Sequence, residues 1–341
     1  MSSVTKLGYA SMAVGEPLQP FYYDPPELGE NDVRVPVTHC GVCHTDIQAI
    51  DDFYGITEYP FVPGHEIVGY VSHVGEAVSG LHIGDRVGIG WQGRSCMKCE
   101  WCMKGEEQLC MDIVDSATWV PYGGFSSTVV VDHRFAYPLP DAMPSEAAAV
   151  LMCAGISVFS PLRRYALQPS LKVAIMGVGG LGHLAIQFAH ALNHEVTVIS
   201  SSIDKLEQVK ILGADHFILS TDQDRLRQYY FYFDLLLIAA TGQLPWYFLL
   251  NIMKKEGRII LVSFPEINMH PRDLVAHNLS ITGSLLGNQT TMREMLSFAQ
   301  EHHITPMIEV MPMASVNEGI QRVRENKARY RIVLVNEAGG M

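Results

Sequence analysis

The spacing of apolar positions divides the chain into two regimes. From about residue 30 to residue 90 they come in short runs broken by glycine and proline. Asp32–Val37 alternates and reads as a strand. Val68, Tyr70, Val71 and Val74 suggest another strand, running to a turn at Gly75, and Ile83–Ile89 reads as turn then strand around Gly84–Val87. Pro17, Pro20, Pro25 and Pro26 exclude a long helix before these. The pattern predicts a mostly β first domain. Pro144–Leu151 and Ile156–Arg164 then read as helical pieces. From Leu171 the rhythm changes. The apolar run Leu171–Met176 stops at glycines 177, 179, 180 and 182. Leu184, Ala185, Ile186, Phe188 and Ala189 follow, spaced as on a buried helix face. Strands are expected at Glu195–Ile199, Phe217–Leu219, Leu235–Ala239, Arg258–Val262 and Leu279–Leu285, with helices at Leu206–Leu212 and Leu244–Met253 between them. Such alternation predicts an α/β region with a doubly wound parallel sheet. The apolar Asp234–Ala240 suits a central strand covered on both faces. A helix at Met292–Gln300 and a tail of strand (Thr305–Met311), helix (Ser315–Glu325) and strand (Tyr330–Val335) complete the reading.

With 341 residues, two domains are expected, because a single core rarely grows past about 250–300 residues. The net charge of -12 argues against nucleic-acid binding and against a basic membrane-facing surface. The first ten residues lack the apolar core of a signal peptide, and runs such as Leu235–Ala240 are too short to span a bilayer. A soluble, cytoplasmic protein with a small-molecule substrate is expected.

Chemistry concentrates in three places. Strand, tight glycine turn and helix is the setting that makes GVGGLG at 177–182 a dinucleotide-binding signal. Gly177 permits the turn, Gly179 keeps side chains from a pyrophosphate, and Gly182 lets the helix pack close. Gly180, Leu181 and the first helical amides would face the phosphates. NAD enzymes place an acid about 20 residues past the turn. Here the strand ends in Ser200, Ser201 and Ser202, with Lys205 nearby, which leaves room and charge for a 2′-phosphate. Asp204 is the contrary sign, but it lies beyond the strand end. NADP(H) is the expected cofactor.

Cys96, Cys99, Cys102 and Cys110 form the second place. Four thiolates at this spacing can enclose a tetrahedral zinc, leaving no open position and so serving a structural role. Sulfur ligation alone does not separate zinc from an iron–sulfur centre. The third place is the remaining cysteines, Cys40, Cys43 and Cys153, together with His65. A catalytic zinc needs three protein ligands and a vacancy. Cys43, Cys153 and His65 are plausible ligands, and spacing does not choose Cys40 or Cys43.

On CGVCHTD (40–46), PGHEIVG (63–69), GDRVG (84–88), the cysteine cluster, GGFSS (123–127), CAGIS (153–157), GVGGLGH (177–183) and YRIV (330–333), the chain resembles the zinc-dependent medium-chain alcohol dehydrogenases, in particular the cinnamyl-alcohol dehydrogenase and aldehyde-reductase branch. The likeness covers nearly the whole chain. It implies a GroES-like catalytic domain over 1–147, an NADP-binding Rossmann domain over 148–287, and a return to the catalytic domain over 288–341, with the active site between the domains. It selects Cys43, His65 and Cys153 as ligands of a catalytic zinc, leaving Cys40 a spare thiol. It makes Glu66 a nearby carboxylate and Asp46 the acid that orients the ligand histidine. Thr45 matches the hydroxyl that contacts the alcohol oxygen, and His44 a contact to the cofactor phosphates. Many relatives continue CHTDLH; this chain has Gln48 at the last position, and glutamine carries no proton near neutral pH. Trp91 matches a pocket wall, joined by Tyr54 and Ile56. A homodimer or homotetramer is implied. The expected activity is NADP(H)-linked interconversion of primary alcohols and aldehydes, aromatic or medium aliphatic. Its rivals are an NAD-dependent alcohol dehydrogenase and a noncatalytic zinc and dinucleotide-binding scaffold or redox sensor.

Overall fold

The computed structural model describes residues 5–115 and 122–336. The first four residues of the N-terminal segment considered above lie outside them. Contacts divide the chain into two units. One holds residues up to Cys153, Gly287–Gln300 and from Pro306 on; the other holds Ala154–Leu286 and Glu301–Thr305.

The first unit is built around one long strand, Asp32–Val42. It runs five residues past the strand expected from sequence. Its first half pairs antiparallel with Thr128–Asp132, its second half with Glu66–Tyr70 on one side and Arg331–Val335 on the other. Arg86–Ile89 and Ala136–Pro138 extend the sheet beyond Glu66–Tyr70. Ile308–Pro312 extends it beyond Arg331–Val335. Val33, Val35 and Val37 alternate inward and pack with Ile67, Val87, Val129, Val131 and Leu334 into one core. At the end of the long strand the backbone turns into a helix, His44–Ile50, that the sequence pattern did not predict. This is the GroES-like architecture.

The second unit carries a six-stranded, all-parallel sheet. In chain order its strands are Lys172–Met176, Glu195–Ser200, His216–Leu219, Phe233–Ile238, Met253–Leu261 and Ser280–Gly283. In space they stand 3-2-1-4-5-6, the Rossmann order, which opens a crevice outside the strand C-termini where the order reverses. Val173, Ala174, Ile175 and Leu235–Ile238 are buried, as strands covered on both faces must be. The helix Gly182–Ala191 follows the first strand directly.

The stretch Ser145–Tyr165 is helical throughout, but its middle, Leu151–Gly155, is wound as a π-helix. By length and composition it could cross a membrane, yet 78% of its most apolar window is buried inside the fold, which makes it a core helix.

Candidate active site

Cys43 closes the long strand and stands as N-cap of His44–Ile50. His65 immediately precedes the neighbouring strand, Glu66 begins it, and Cys153 sits at the centre of the π turn, where an extra residue per turn re-aims a side chain. These four donors are buried, and their ligating atoms lie within 4.8 Å of one another. Cys43 Sγ is 4.0 Å from Cys153 Sγ, and His65 Nε2 is 3.3 Å from Cys153 Sγ. Zinc–sulfur bonds of about 2.3 Å in a tetrahedron give sulfur–sulfur edges of about 3.8 Å and slightly shorter sulfur–nitrogen edges. The donor set and its spacing fit zinc.

Cys40 is separated from Cys43 by the strand itself. It pairs in register with Leu334, is fully buried, and its sulfur lies where a side chain on Gly124 would have to go. Burial pushes its thiol well above the ordinary range.

Asp46, wholly buried, ties three parts of the cluster together. Its carboxylate accepts from Cys43 N (2.9 Å), Gly64 N (3.0 Å) and His65 Nδ1 (2.7 Å). With Nδ1 donating to Asp46, Nε2 is the atom left to bind a metal. Burial opposes a proton on His65, but the charges of Asp46 and Cys43 raise its pKa well above the usual value. The hydrogen bond from Cys153 holds Cys43 well below the usual thiol range. The same bond, then burial, pushes Cys153 well up.

Sequence reasoning missed one charged member of this site, the partner of Glu66. Arg331 is buried and donates to Glu66 Oε1 at 3.1 Å across 265 residues of chain. Glu66 pairs in register with Gly41, and Ile332, next to Arg331, pairs with Val42. The two charges therefore meet across the long strand. A Cβ at position 41 would lie 2.0 Å from Glu66 Oε2, so only glycine lets the carboxylate pass. Burial raises Glu66 to about 8 against the opposing pull of Arg331. Among the described residues Glu66 Oε2 is buried without a hydrogen-bond partner, as an oxygen beside a cation site can be. A lone arginine inside the apolar run Tyr330–Val335 was the available signal, because a buried charge demands a partner.

Thr45 is half-buried and His44 exposed, both in the first turn of His44–Ile50. Trp91 is half-buried. It follows Gly90, whose backbone lies against the Met152 carbonyl, one residue before Cys153. Ile56 is exposed, and Tyr54 donates its hydroxyl to Gln48.

Cys96, Cys99, Cys102 and Cys110 also converge. Sulfur separations of 3.5 Å (Cys99–Cys102, Cys96–Cys110) and 4.0 Å (Cys96–Cys102) again match tetrahedral zinc edges of about 3.8 Å. Gly105, with φ of +71°, reverses the loop so that Cys110 returns. Glu107, buried in this loop, accepts from the backbone of Gln289 at 3.4 Å, docking the cluster on the start of the helix Gln289–Glu301.

In the second unit, Gly177 has φ of +95°, and a Cβ on Gly182 would stand 1.9 Å from the Gly177 carbonyl oxygen. Among the described residues, no atom beyond Gly179 and its two chain neighbours lies within 4 Å of where a Cβ on Gly179 would be, which leaves open space over the turn as a pyrophosphate requires. Gly180 and Leu181 lead into the helix that starts at Gly182. Ser200 ends the second strand, buried, its Oγ 3.3 Å from Ser202 N; Ser201 is exposed, and Ser202 Oγ reaches Asp204 at 3.2 Å. Lys205 donates to the Val178 carbonyl of the glycine turn. The serines and the lysine thus gather beside the turn.

Comparison with known proteins agrees with this arrangement. The family profile for the alcohol dehydrogenase GroES-like domain matches residues 29–141, and that for zinc-binding dehydrogenases matches 180–301. An aldehyde reductase from Synechocystis is 38% identical over 330 residues, 96% of this chain and 97% of the relative. A probable formaldehyde dehydrogenase from Bacillus subtilis is 40% identical, covering 90% of each chain. Among solved structures, a cinnamyl alcohol dehydrogenase from Sorghum bicolor superposes with a TM-score of 0.93 at 36% identity, covering 99% of each chain. One from Helicobacter pylori, complexed with NADP(H), has a TM-score of 0.90 at 28% identity, covering 98% of this chain and 99% of that one. The two clusters are consistent with the catalytic and structural zinc sites typical of such enzymes. With its length matched end to end at this identity, the chain belongs to the zinc-binding medium-chain dehydrogenase/reductase family.

Proposed function

We propose that this chain is a zinc-dependent, NADP(H)-linked aldehyde reductase and alcohol dehydrogenase acting on aromatic or medium aliphatic substrates. The observation that carries the reading is the buried meeting of Cys43, His65 and Cys153 at tetrahedral donor spacing, with Thr45 two residues past a ligand. When bound, zinc supplies a Lewis acid and NADPH a hydride. The balance is aldehyde, NADPH and one proton to primary alcohol and NADP+. Cys43, His65 and Cys153 hold the metal, and their two thiolates cancel the charge of a divalent ion. Asp46 keeps His65 in the ligating tautomer, while Glu66 with Arg331 sets the local charge. Thr45 gives its hydroxyl proton to the product oxygen and is reprotonated from solvent. Gly177, Gly179, Gly180, Leu181 and Gly182 receive the pyrophosphate, with His44 beside it. Ser200, Ser201, Ser202 and Lys205 receive the 2′-phosphate. Trp91, Tyr54 and Ile56 wall the substrate. Cys96, Cys99, Cys102 and Cys110 hold a second, structural zinc.

The test is loss of NADPH absorbance with zinc-loaded protein and benzaldehyde, hexanal and a branched aldehyde, with NADH run in parallel. Turnover favouring NADPH and lost in a folded Cys43→Ser variant is expected. Failure with every aldehyde, or a preference for NADH, refutes the enzyme or the cofactor assignment respectively.

A further inference from the structure

Cys153 alone of the three assigned metal ligands lies inside a helix, at the middle of the π turn Leu151–Gly155. Its neighbour Met152 is fully buried and packs against the strand Arg86–Ile89 and the residue that follows it. Positions 88 and 90 share one face of that extended stretch, and both are glycine. The two gaps are filled differently. A Cβ on Gly88 would stand 2.5 Å from Met152 Sδ and 3.1 Å from Met152 Cε, the end of a flexible side chain. A Cβ on Gly90 would stand 2.7 Å from the Met152 carbonyl oxygen. That oxygen belongs to the backbone of the turn and has no rotamer through which to move aside.

The same stretch borders the histidine ligand. Ile89 pairs in register with Ile67. One step beyond that pair stand Gly90 on one strand and Glu66 on the other, and His65 precedes Glu66. Gly88 pairs with Val68 on one side and Tyr137 on the other, so the strand is held along both edges. Gly90 therefore acts as a spacer of no width between the strand that follows His65 and the turn that carries Cys153. With no side chain there, His65 Nε2 and Cys153 Sγ stand 3.3 Å apart. A methyl at position 90 would force the Met152 carbonyl back by about 0.7 Å to reach ordinary contact at 3.4 Å. Metal–ligand distances tolerate only about 0.2 Å. A shift of that size one residue from the ligand exceeds what the metal can absorb.

We propose that Gly90 is a positioning residue of the metal centre: the absence of a side chain at this position sets how far the Cys153 thiolate reaches toward the metal. Gly88 is its tolerant counterpart, because it meets a side chain that can turn away. The inference rests on the reading of Cys43, His65 and Cys153 as zinc ligands, and adds to them a residue that carries no donor of its own to the metal.

The test measures zinc affinity by chelator competition in folded protein, with the zinc of the four-cysteine loop as internal reference. Gly90→Ala is expected to weaken one of the two zincs about 10- to 100-fold, the range found when the supports of metal ligands are changed. Gly88→Ala is expected to leave both zincs as in the wild type. In a Cys153→Ser background Gly90→Ala is expected to do nothing further, because the thiolate it displaces is already gone. The cobalt-loaded Gly90→Ala protein should also lose as much thiolate-to-cobalt charge-transfer absorbance as Cys153→Ser does. An unchanged zinc affinity in Gly90→Ala, or equal losses with and without Cys153, overturns the proposal and leaves the function reading intact. Gly88→Ala decides the matter even if Gly90→Ala does not fold: a tenfold zinc loss there would mean that the Met152 side chain, and not its carbonyl, sets the depth of Cys153. Wild-type protein that binds zinc only in the four-cysteine loop overturns both readings.

Discussion

Asp46→Asn isolates what one carboxylate does for the metal. Three buried N–H groups, of Cys43, Gly64 and His65, point at two carboxylate oxygens. An amide offers one oxygen. It can keep His65 and Gly64, which share Oδ1, but its amino group then opposes the Cys43 N–H that Oδ2 accepted. An orphaned buried donor costs about 1–3 kcal/mol, or about 5- to 150-fold in an equilibrium constant. The metal-free loop can relax around the new side chain, whereas a metal pins Cys43 and His65 together, so most of the penalty falls on the zinc-bound form. A loss of about 10- to 100-fold in zinc affinity is the range known for such outer partners of ligand histidines. The assay is competition for zinc by a chromogenic chelator at neutral pH. Cys96, Cys99, Cys102 and Cys110 share no residue with Asp46, so their zinc serves as an internal standard. One of two bound zincs should weaken by that factor while the other holds. A folded variant that releases both zincs as the wild type does would show that Asp46 neither orients His65 nor anchors Cys43.

Three further outcomes are expected. Arg331→Met leaves Glu66 buried without its countercharge, and breaking a buried pair from one side costs about 3–5 kcal/mol; urea unfolding that moves by less than about 1 kcal/mol would mean the pair adds nothing to the fold. Ser200→Asp puts a carboxylate where a 2′-phosphate is expected and should turn the ratio of NADPH to NADH specificity constants toward NADH by about tenfold or more, the scale of a charged hydrogen bond; an unchanged ratio counts against Ser200. Among the described residues neither ring nitrogen of the buried His194 has a hydrogen-bond partner, and burial lowers its pKa. The unfolded chain then takes up a proton that the folded chain refuses, so stability present above about pH 6.5 is lost as pH falls. His194→Leu should flatten the fall in melting temperature between about pH 7 and pH 5, and an equally steep fall would exclude His194 as its source.

What could be read from sequence was what the chain builds from neighbours. The glycine turn occupies one strand, one turn and the start of one helix, so residues 171–189 contain all of its logic. The four clustered cysteines span fifteen positions, and their spacing alone suggests a closed site. The parallel sheet announced itself because strands and helices alternate after the glycine turn and the central strand carries the apolar run Leu235–Ile238. The helix His44–Ile50 escaped notice for the opposite reason. It has only seven residues, and a histidine, threonine, aspartate and glutamine among them hide its buried face.

The undecided choice between Cys40 and Cys43 shows why the rest was illegible. Both are cysteines three residues apart, and what separates them is where the long strand stops. Local alternation ends it near Val37. In the fold it continues to Val42 because Glu66–Tyr70 and Arg331–Val335 arrive on either side. That continuation commits Cys40 to the sheet, paired with Leu334, and leaves Cys43 as the first residue free to turn toward Cys153. The same two strands deliver Glu66 and Arg331 to opposite sides of Gly41. The last strand of the chain therefore does two jobs at once: it lengthens the central strand until the right thiol is at its end, and it supplies the charge that lets a carboxylate stay buried beside it. If so, weakening the pairing at Ile332 and Val333 should loosen the Cys43–His65–Cys153 site before it disturbs the four-cysteine loop, because only the former is assembled on that strand.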